Sequence, residues 1–169
     1  DKTKLRDFRV AVWATDPMAP VAREVEERSL QVGAMLERLG ARVSYTARPN
    51  IDLEKATINY QTLLNSVMTA AWDDQTVAQM QAKVAALEAT DLSRDAVNAR
   101  AAVLSHREWI RANSRREKLR HAWADFFEDW DILVCPQMAT EAFSHDHRPF
   151  NERILMVDGE QQPYFQQLM

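Results

Sequence analysis

The stretch Trp130-Asp131-Ile132-Leu133-Val134-Cys135-Pro136 constrains the fold more than any other part of the chain. Ile132 to Cys135 is a short, continuous apolar run, the pattern of a strand covered on both faces rather than half exposed. Pro136 has no N–H to give to a ladder, so the strand must stop there. The segment that follows, from Gln137 to Pro149, is polar and irregular and reads as a surface loop. In open α/β sheets, ligands bind in the crevice beyond the carboxyl ends of the strands. A substrate-facing surface is therefore expected in this loop.

Two further strands are predicted upstream. Arg9-Val10-Ala11-Val12-Trp13-Ala14 is β-branched and aromatic and is ended by Asp16-Pro17. Arg42-Val43-Ser44-Tyr45-Thr46 follows a helical stretch that opens near Pro20, a residue suited to the first helical position, and closes at Gly40, a left-handed cap. Val21, Val25, Val32, Met35, Leu36 and Leu39 form its predicted apolar face. A strand–helix–strand unit of this kind pairs its strands in parallel. The expected fold class is thus α/β: a mostly parallel sheet, with strands near 9–14, 42–46 and 132–135, covered by helices in one domain over residues 1–169.

The middle of the chain reads as helical. Asp52 can cap a helix whose predicted face is Leu53, Ala56, Tyr60, Leu63, Leu64, Val67 and Ala71. Trp72-Asp73-Asp74 interrupts it, and a second amphipathic helix follows with Val77, Met80, Val84 and Leu87. Helix starts are available at Ser93-Arg94-Asp95 and at Ser105-His106-Arg107-Glu108, the latter with capping-box spacing. The favoured reading is nevertheless one continuous helix from about Arg94 to Asp129. Leu119, Trp123, Phe126, Phe127 and Trp130 form an aromatic stripe expected to be largely buried. Near the end, Asp158-Gly159 between extended segments predicts a hairpin.

Composition sets the outer bounds. With 169 residues, 46% hydrophobic and 27% charged, the chain suits a globular domain with a real core. A net charge of −4 argues against nucleic acid as the main partner, since binding phosphates needs a basic face. No apolar run approaches the ~20 residues of a membrane span. One cysteine rules out an intrachain disulfide and favours a cytoplasmic setting. The sequence opens on Asp1 rather than Met, closes on Tyr164–Met169 like the first turn of a helix, and has three glycines where average usage gives about twelve. It is expected to be an interior piece of a longer protein, and an apolar patch left uncovered in such a piece would favour association, as a homodimer.

The candidate sites are few. His145-Asp146-His147 could ligate zinc if the loop were bent, but no third strong ligand set accompanies it, and loop hydrogen bonding is the simpler reading. The expected metal content is none, and no cofactor is implied. Cys135 stands at a strand end where nucleophiles occur. It has no helix start or basic cluster beside it to lower its pKa, so a buried structural thiol is expected. Arg100, Arg107, Arg111, Arg115, Arg116 and Arg120 form a basic band, offset by Glu108, Glu117, Asp125 and Glu128 at pairing distance on a helix. His106 and His121 are expected in solvent. No catalytic constellation stands out from the residues alone.

Arg9-Val10-Ala11-Val12-Trp13 with Gly40-Ala41-Arg42-Val43, the run Arg116 to Phe127 leading into the strand that ends Cys135-Pro136, the segment Ala142 to Pro149, and the hairpin leading to Pro163-Tyr164-Phe165-Gln166-Gln167 stand out in their order and spacing. Together they resemble the later half of amidase signature enzymes. The resemblance covers nearly the whole chain and implies an α/β/α-layer piece of that fold. It also implies hydrolysis of a small-molecule carboxamide C–N bond by a serine, a second serine in a cis peptide and a lysine base, with backbone N–H groups as oxyanion hole. In the family these lie in a glycine- and serine-rich region that precedes this segment. Here there is no Gly-Gly-Ser-Ser-Gly-like stretch, and Ser29, Ser44, Ser66, Ser93, Ser105, Ser114 and Ser144 are isolated. No catalytic residue is therefore assigned within the chain, which alone is expected to be inactive. Part of the acyl-side channel maps onto Cys135, Met138 and Thr140. The alternative is a non-catalytic α/β binding or scaffold domain with its crevice at Met138 to His147.

Overall fold

A computed structural model describes residues 2–164, apart from the side chain of Asn151. The expected helical turn over Tyr164–Met169 falls, beyond its first residue, outside the described residues. The chain forms two compact units, one built from the stretch up to Asn50 together with the stretch from Trp123 onward, the other from Ile51–Ala122.

The first unit is organised on a three-stranded parallel sheet. Its strands are β1 (Arg9–Val12), β2 (Arg42–Ser44) and β3 (Ile132–Val134), in the order β2-β1-β3. The parallel α/β arrangement is as expected, but the strand at its centre is β1. Val10, Ala11 and Val12 are each 0–1% exposed. β3, by contrast, is an edge strand whose Ile132 is 40% exposed. Two short apolar runs look alike in sequence, and only the pairing order decides which is covered on both faces. Burying Val10 and Val12 contributes about 1.5–3 kcal/mol each. With Ala14 and Ala41 they form the core, against which Phe8, Leu36, Val43 and Val134 pack.

Asp131 registers β3 against β1. Its N–H donates to Arg9 O, and its carboxylate accepts from the Arg9 N–H at 2.7 Å, from the Arg9 guanidinium at 3.3 Å and from Lys2 Nζ at 2.5 Å. Those hydrogen bonds, from Arg9 first, hold the Asp131 carboxyl far below the usual carboxylate range.

Helix α1 (Arg23–Arg38) covers one face of the sheet. It starts three residues after Pro20, because Ala22 is still extended at φ −57°, ψ 142°. Its end is as predicted: Gly40 at φ 98° donates to Glu37 O and Ala41 to Leu36 O, the paired bonds of a left-handed cap. The predicted apolar face holds in part, with Val25, Val32 and Leu36 half-buried. Met35 and Leu39 are 45% and 57% exposed, whereas Ser29 and Gly33 are buried. Small residues let the helix approach closely: a Cβ on Gly33 would stand 2.9 Å from both Val12 Cγ2 and Tyr45 Cε1. Ser29 satisfies its hydroxyl on Val25 O.

A separate antiparallel hairpin, β4 (Ile154–Val157) and β5 (Glu160–Pro163), turns at Asp158 (φ 52°) and Gly159 (φ 86°). Both turn residues have positive φ, as the Asp-Gly pair predicts for a two-residue hairpin loop.

In the second unit lie α2 (Leu53–Met68), α3 (Asp74–Ala85), α4 (Arg94–Ala102) and the first part of α5 (His106–Asp129). Asp52 caps α2, and Asp73 and Ser93 cap the next two helices. The continuous helix expected from Arg94 to Asp129 is broken at Val103–Ser105. The Ser105 N–H and hydroxyl both donate to the Glu108 carboxylate while Glu108 N–H returns to Ser105 Oγ, so the capping box starts a new helix. The predicted face of α2 holds only in part: Leu53, Ala56, Leu63 and Leu64 are half-buried, but Tyr60, Val67 and Ala71 are exposed, while Asn59 and Gln61 are buried. α2 packs on the alanine-rich face of α4, where Ala96, Ala99 and Ala101 are buried. Its polar groups find partners on two helices: Asn65 donates to Asn98 of α4 at 2.8 Å, and Asn59 accepts from Arg115 of α5 at 2.9 Å. His106 and His121 are exposed, as expected, and Glu117 pairs with Arg116 and Arg120.

The aromatic stripe is buried only in part. Phe126 is 7% exposed, but Phe127 is 45% exposed, and Trp123 and Trp130 are half-buried. The Trp123, Phe126 and Phe127 rings pack on one another at 5.2–5.9 Å between centroids. One helical face cannot hide side chains at four consecutive turns and at adjacent positions together.

Candidate functional site

Because β1 and β3 are parallel and in register, Val12 beside Val134, both chains leave the sheet at the same edge. Trp13 N–H donates to Val134 O at 2.8 Å, the last rung before they diverge. One strand leads through residues 13–22 into α1. The other leads into the loop 135–149. The Ala22 N–H then donates to the buried Ala139 carbonyl at 2.6 Å, so the loop is tied to the start of α1.

Beyond that tie the loop forms one wall of a groove of about 460 Å³, and β4 forms the other. Residues 140–147 line the first wall, with a hydroxyl at Thr140, a carboxylate at Glu141 and the two imidazoles of His145 and His147. Ile154, Leu155 and Met156 line the second. A smaller recess of about 190 Å³ adjoins it at Ala22–Val25 and Asp158, sharing Thr140, Glu141 and Met156. Beside the groove, Tyr164 meets Phe143 edge-on at 5.7 Å and Phe150 at 5.6 Å, with the Arg153 guanidinium over the Phe150 and Tyr164 rings.

Of the residues assigned to the acyl-side channel, Thr140 lines both cavities. Met138 is half-buried between the strand end and Ala139, and neither it nor Cys135 is among the lining residues. Cys135 is an exposed free thiol, not a buried one. The reason is its place: it follows an edge strand that has ended, and Pro136 prevents a further rung.

Asp146 is engaged within the loop. Its carboxylate accepts from Arg148 Nε at 3.0 Å, Nη2 at 2.6 Å and the Arg148 N–H at 3.0 Å. Those bonds to the guanidinium push its pKa down to about 2. The rings of His145 and His147 lie 6.2 Å apart between centroids. Among the described residues no three His, Cys, Asp or Glu side chains converge as a metal set.

Two arrangements at this edge of the sheet escape sequence reasoning. Arg48 lies over the Trp13 ring at 4.9 Å and donates to Val12 O and Ala47 O, while Trp13 Nε1 donates to Asp16. Asp158 accepts from the Arg23 N–H, 3.1 Å from each carboxylate oxygen. The turn at Asp158-Gly159 is legible locally, but its partner lies 135 residues away.

The described residues contain no helix long and apolar enough to cross a membrane. A search of curated proteins finds no match to the chain. The sequence model of the amidase family matches residues 1–159. With the match running through the parallel sheet, the loop and the first strand of the hairpin, the chain belongs to the amidase family.

Proposed function

We propose that the chain supplies the sheet core and one side of the acyl channel of a hydrolase that cleaves the C–N bond of small carboxamides. The groove beyond the carboxyl ends of β1 and β3, in a chain matched to the amidase family over residues 1–159, carries this reading. Its volume suits a small organic molecule. Ile154 and Met156 give the acyl group an apolar wall, and the Thr140 hydroxyl and neighbouring backbone orient the polar end. Cys135 and Met138 belong to the same strand-end segment, outside the lining of this groove, and would border the acyl channel of the whole hydrolase. The serine nucleophile, its serine partner and the lysine base are supplied from outside these residues.

The 169-residue chain should therefore release no ammonia or amine from simple aryl or aliphatic amides above a buffer blank. A Cys135→Ser variant serves as control. Turnover that vanishes in that variant would make the exposed thiol a nucleophile and overturn the assignment of roles.

A further inference from the structure

Two consecutive backbone amides at the start of α1 hold the two walls of the groove. The Ala22 N–H tethers the loop wall through Ala139 O. The next amide, Arg23 N–H, is held by Asp158 at the tip of the β4–β5 hairpin, whose first strand is the opposite wall. Ala22 stands at the N-cap position and has no side-chain oxygen to offer. The carboxylate that satisfies the first turn of α1 therefore comes from another element. Such a group fills one of the unpaired N–H positions of a helix start and is favoured by the helix dipole.

The hairpin needs such an anchor. It is a two-stranded sheet apart from the parallel one, and isolated two-stranded hairpins are marginal in water. Leu155 is buried at 2% exposure, and Tyr164 pins the far end through Phe143 and Phe150. The facing strand residue Met156 is 51% exposed, and Glu160 and Gln161 are exposed too, so the turn end has little apolar cover.

We infer that Asp158 is a positioning residue, a latch that fixes the β4 wall against α1 and sets the width of the groove. Releasing it lets the turn end of the hairpin move away from α1 and joins the groove to the recess that shares Thr140, Glu141 and Met156. This inference rests on reading the groove as the substrate channel for its functional meaning, but the latch itself is a physical contact that can be tested separately.

The test is backbone amide hydrogen exchange on the chain with Asp158→Gly and Asp158→Asn. Glycine suits the positive φ of this turn position, so it removes the carboxylate and keeps the turn. Asparagine tolerates the same φ and keeps a side-chain acceptor oxygen. Exchange at Arg23 and across β4 and β5 should rise roughly tenfold in the glycine variant, the equivalent of a lost helix cap, with Ala11 and Val12 unchanged. The asparagine variant should recover most of the protection. Unchanged exchange in the glycine variant would overturn the latch, as would an equal rise at Ala11 and Val12 or an asparagine variant as fast as glycine. Titrating both proteins with hexanamide separates the two ideas. Exchange that responds without any amide binding would leave the latch standing and remove the channel.

Discussion

Phe126→Ala is expected to destabilise the protein by about 3–5 kcal/mol, the range of large-to-small changes at buried aromatic positions. Phe126 is the one member of the aromatic stripe that is buried, at 7% exposure. Its ring sits edge-on to both Trp123 and Phe127, at 5.8 and 5.2 Å. Truncation removes both contacts and leaves a cavity that two half-exposed rings can fill only by leaving their own rotamers. Phe127→Ala, at a ring 45% exposed, should cost clearly less. Chemical denaturation of the two variants checks the order. Equal losses, or a loss under about 1 kcal/mol for Phe126→Ala, would show that the stripe shares its burial evenly.

Gly33 should tolerate substitution even less well than its helical position suggests. In an exposed helix interior, Gly→Ala gains about 1 kcal/mol from backbone entropy. Here the added Cβ would meet Val12 Cγ2 and Tyr45 Cε1 at 2.9 Å, closer than real Cβ contacts run. Tyr45 is 37% exposed and can yield, but Val12 is 1% exposed and has nowhere to go. Overpacking of this kind costs about 1–3 kcal/mol, so Gly33→Ala should lose up to about 2 kcal/mol net, and Gly33→Leu more. The readout is again the denaturation midpoint. A stabilised alanine variant would mean that α1 can lift from the sheet at no cost.

Local signals carried much of the fold. Asp52, Ser93 and the Ser105–Glu108 box mark helix starts through bonds spanning three residues, and Gly40 and Asp158-Gly159 mark positive-φ positions that few other residues fill. The parallel pairing followed from the strand–helix–strand order. What was not legible depends on partners remote in sequence. Nothing within Ile132–Cys135 says that β1, not β3, takes the centre of the sheet, and so nothing says that Cys135 ends up in solvent. The buried side of α2 carries Asn59 and Asn65, which an apolar-periodicity reading assigns to the surface. Asn59 is buried and Asn65 half-buried because Arg115 and Asn98 meet them. The helical periodicity runs on from Arg94 to Asp129, but the capping box at Ser105–Glu108 outweighs it and starts a new helix.

The candidate site follows the same division. The loop after Pro136 was identifiable as the ligand-facing segment because strand ends in α/β sheets place loops there. Thr140 fell on the groove. The second wall, Ile154–Met156, could be read as a strand but not as a partner of the loop, since the contacts joining them run through α1 and through the Tyr164 ring.

The most direct test of the groove as a substrate wall is a titration of the chain with hexanamide, followed by backbone amide chemical shifts. Saturable shifts concentrated at Thr140–His147 and Ile154–Met156 are predicted. Shifts confined to Ile51–Ala122, or none that saturate, would contradict it.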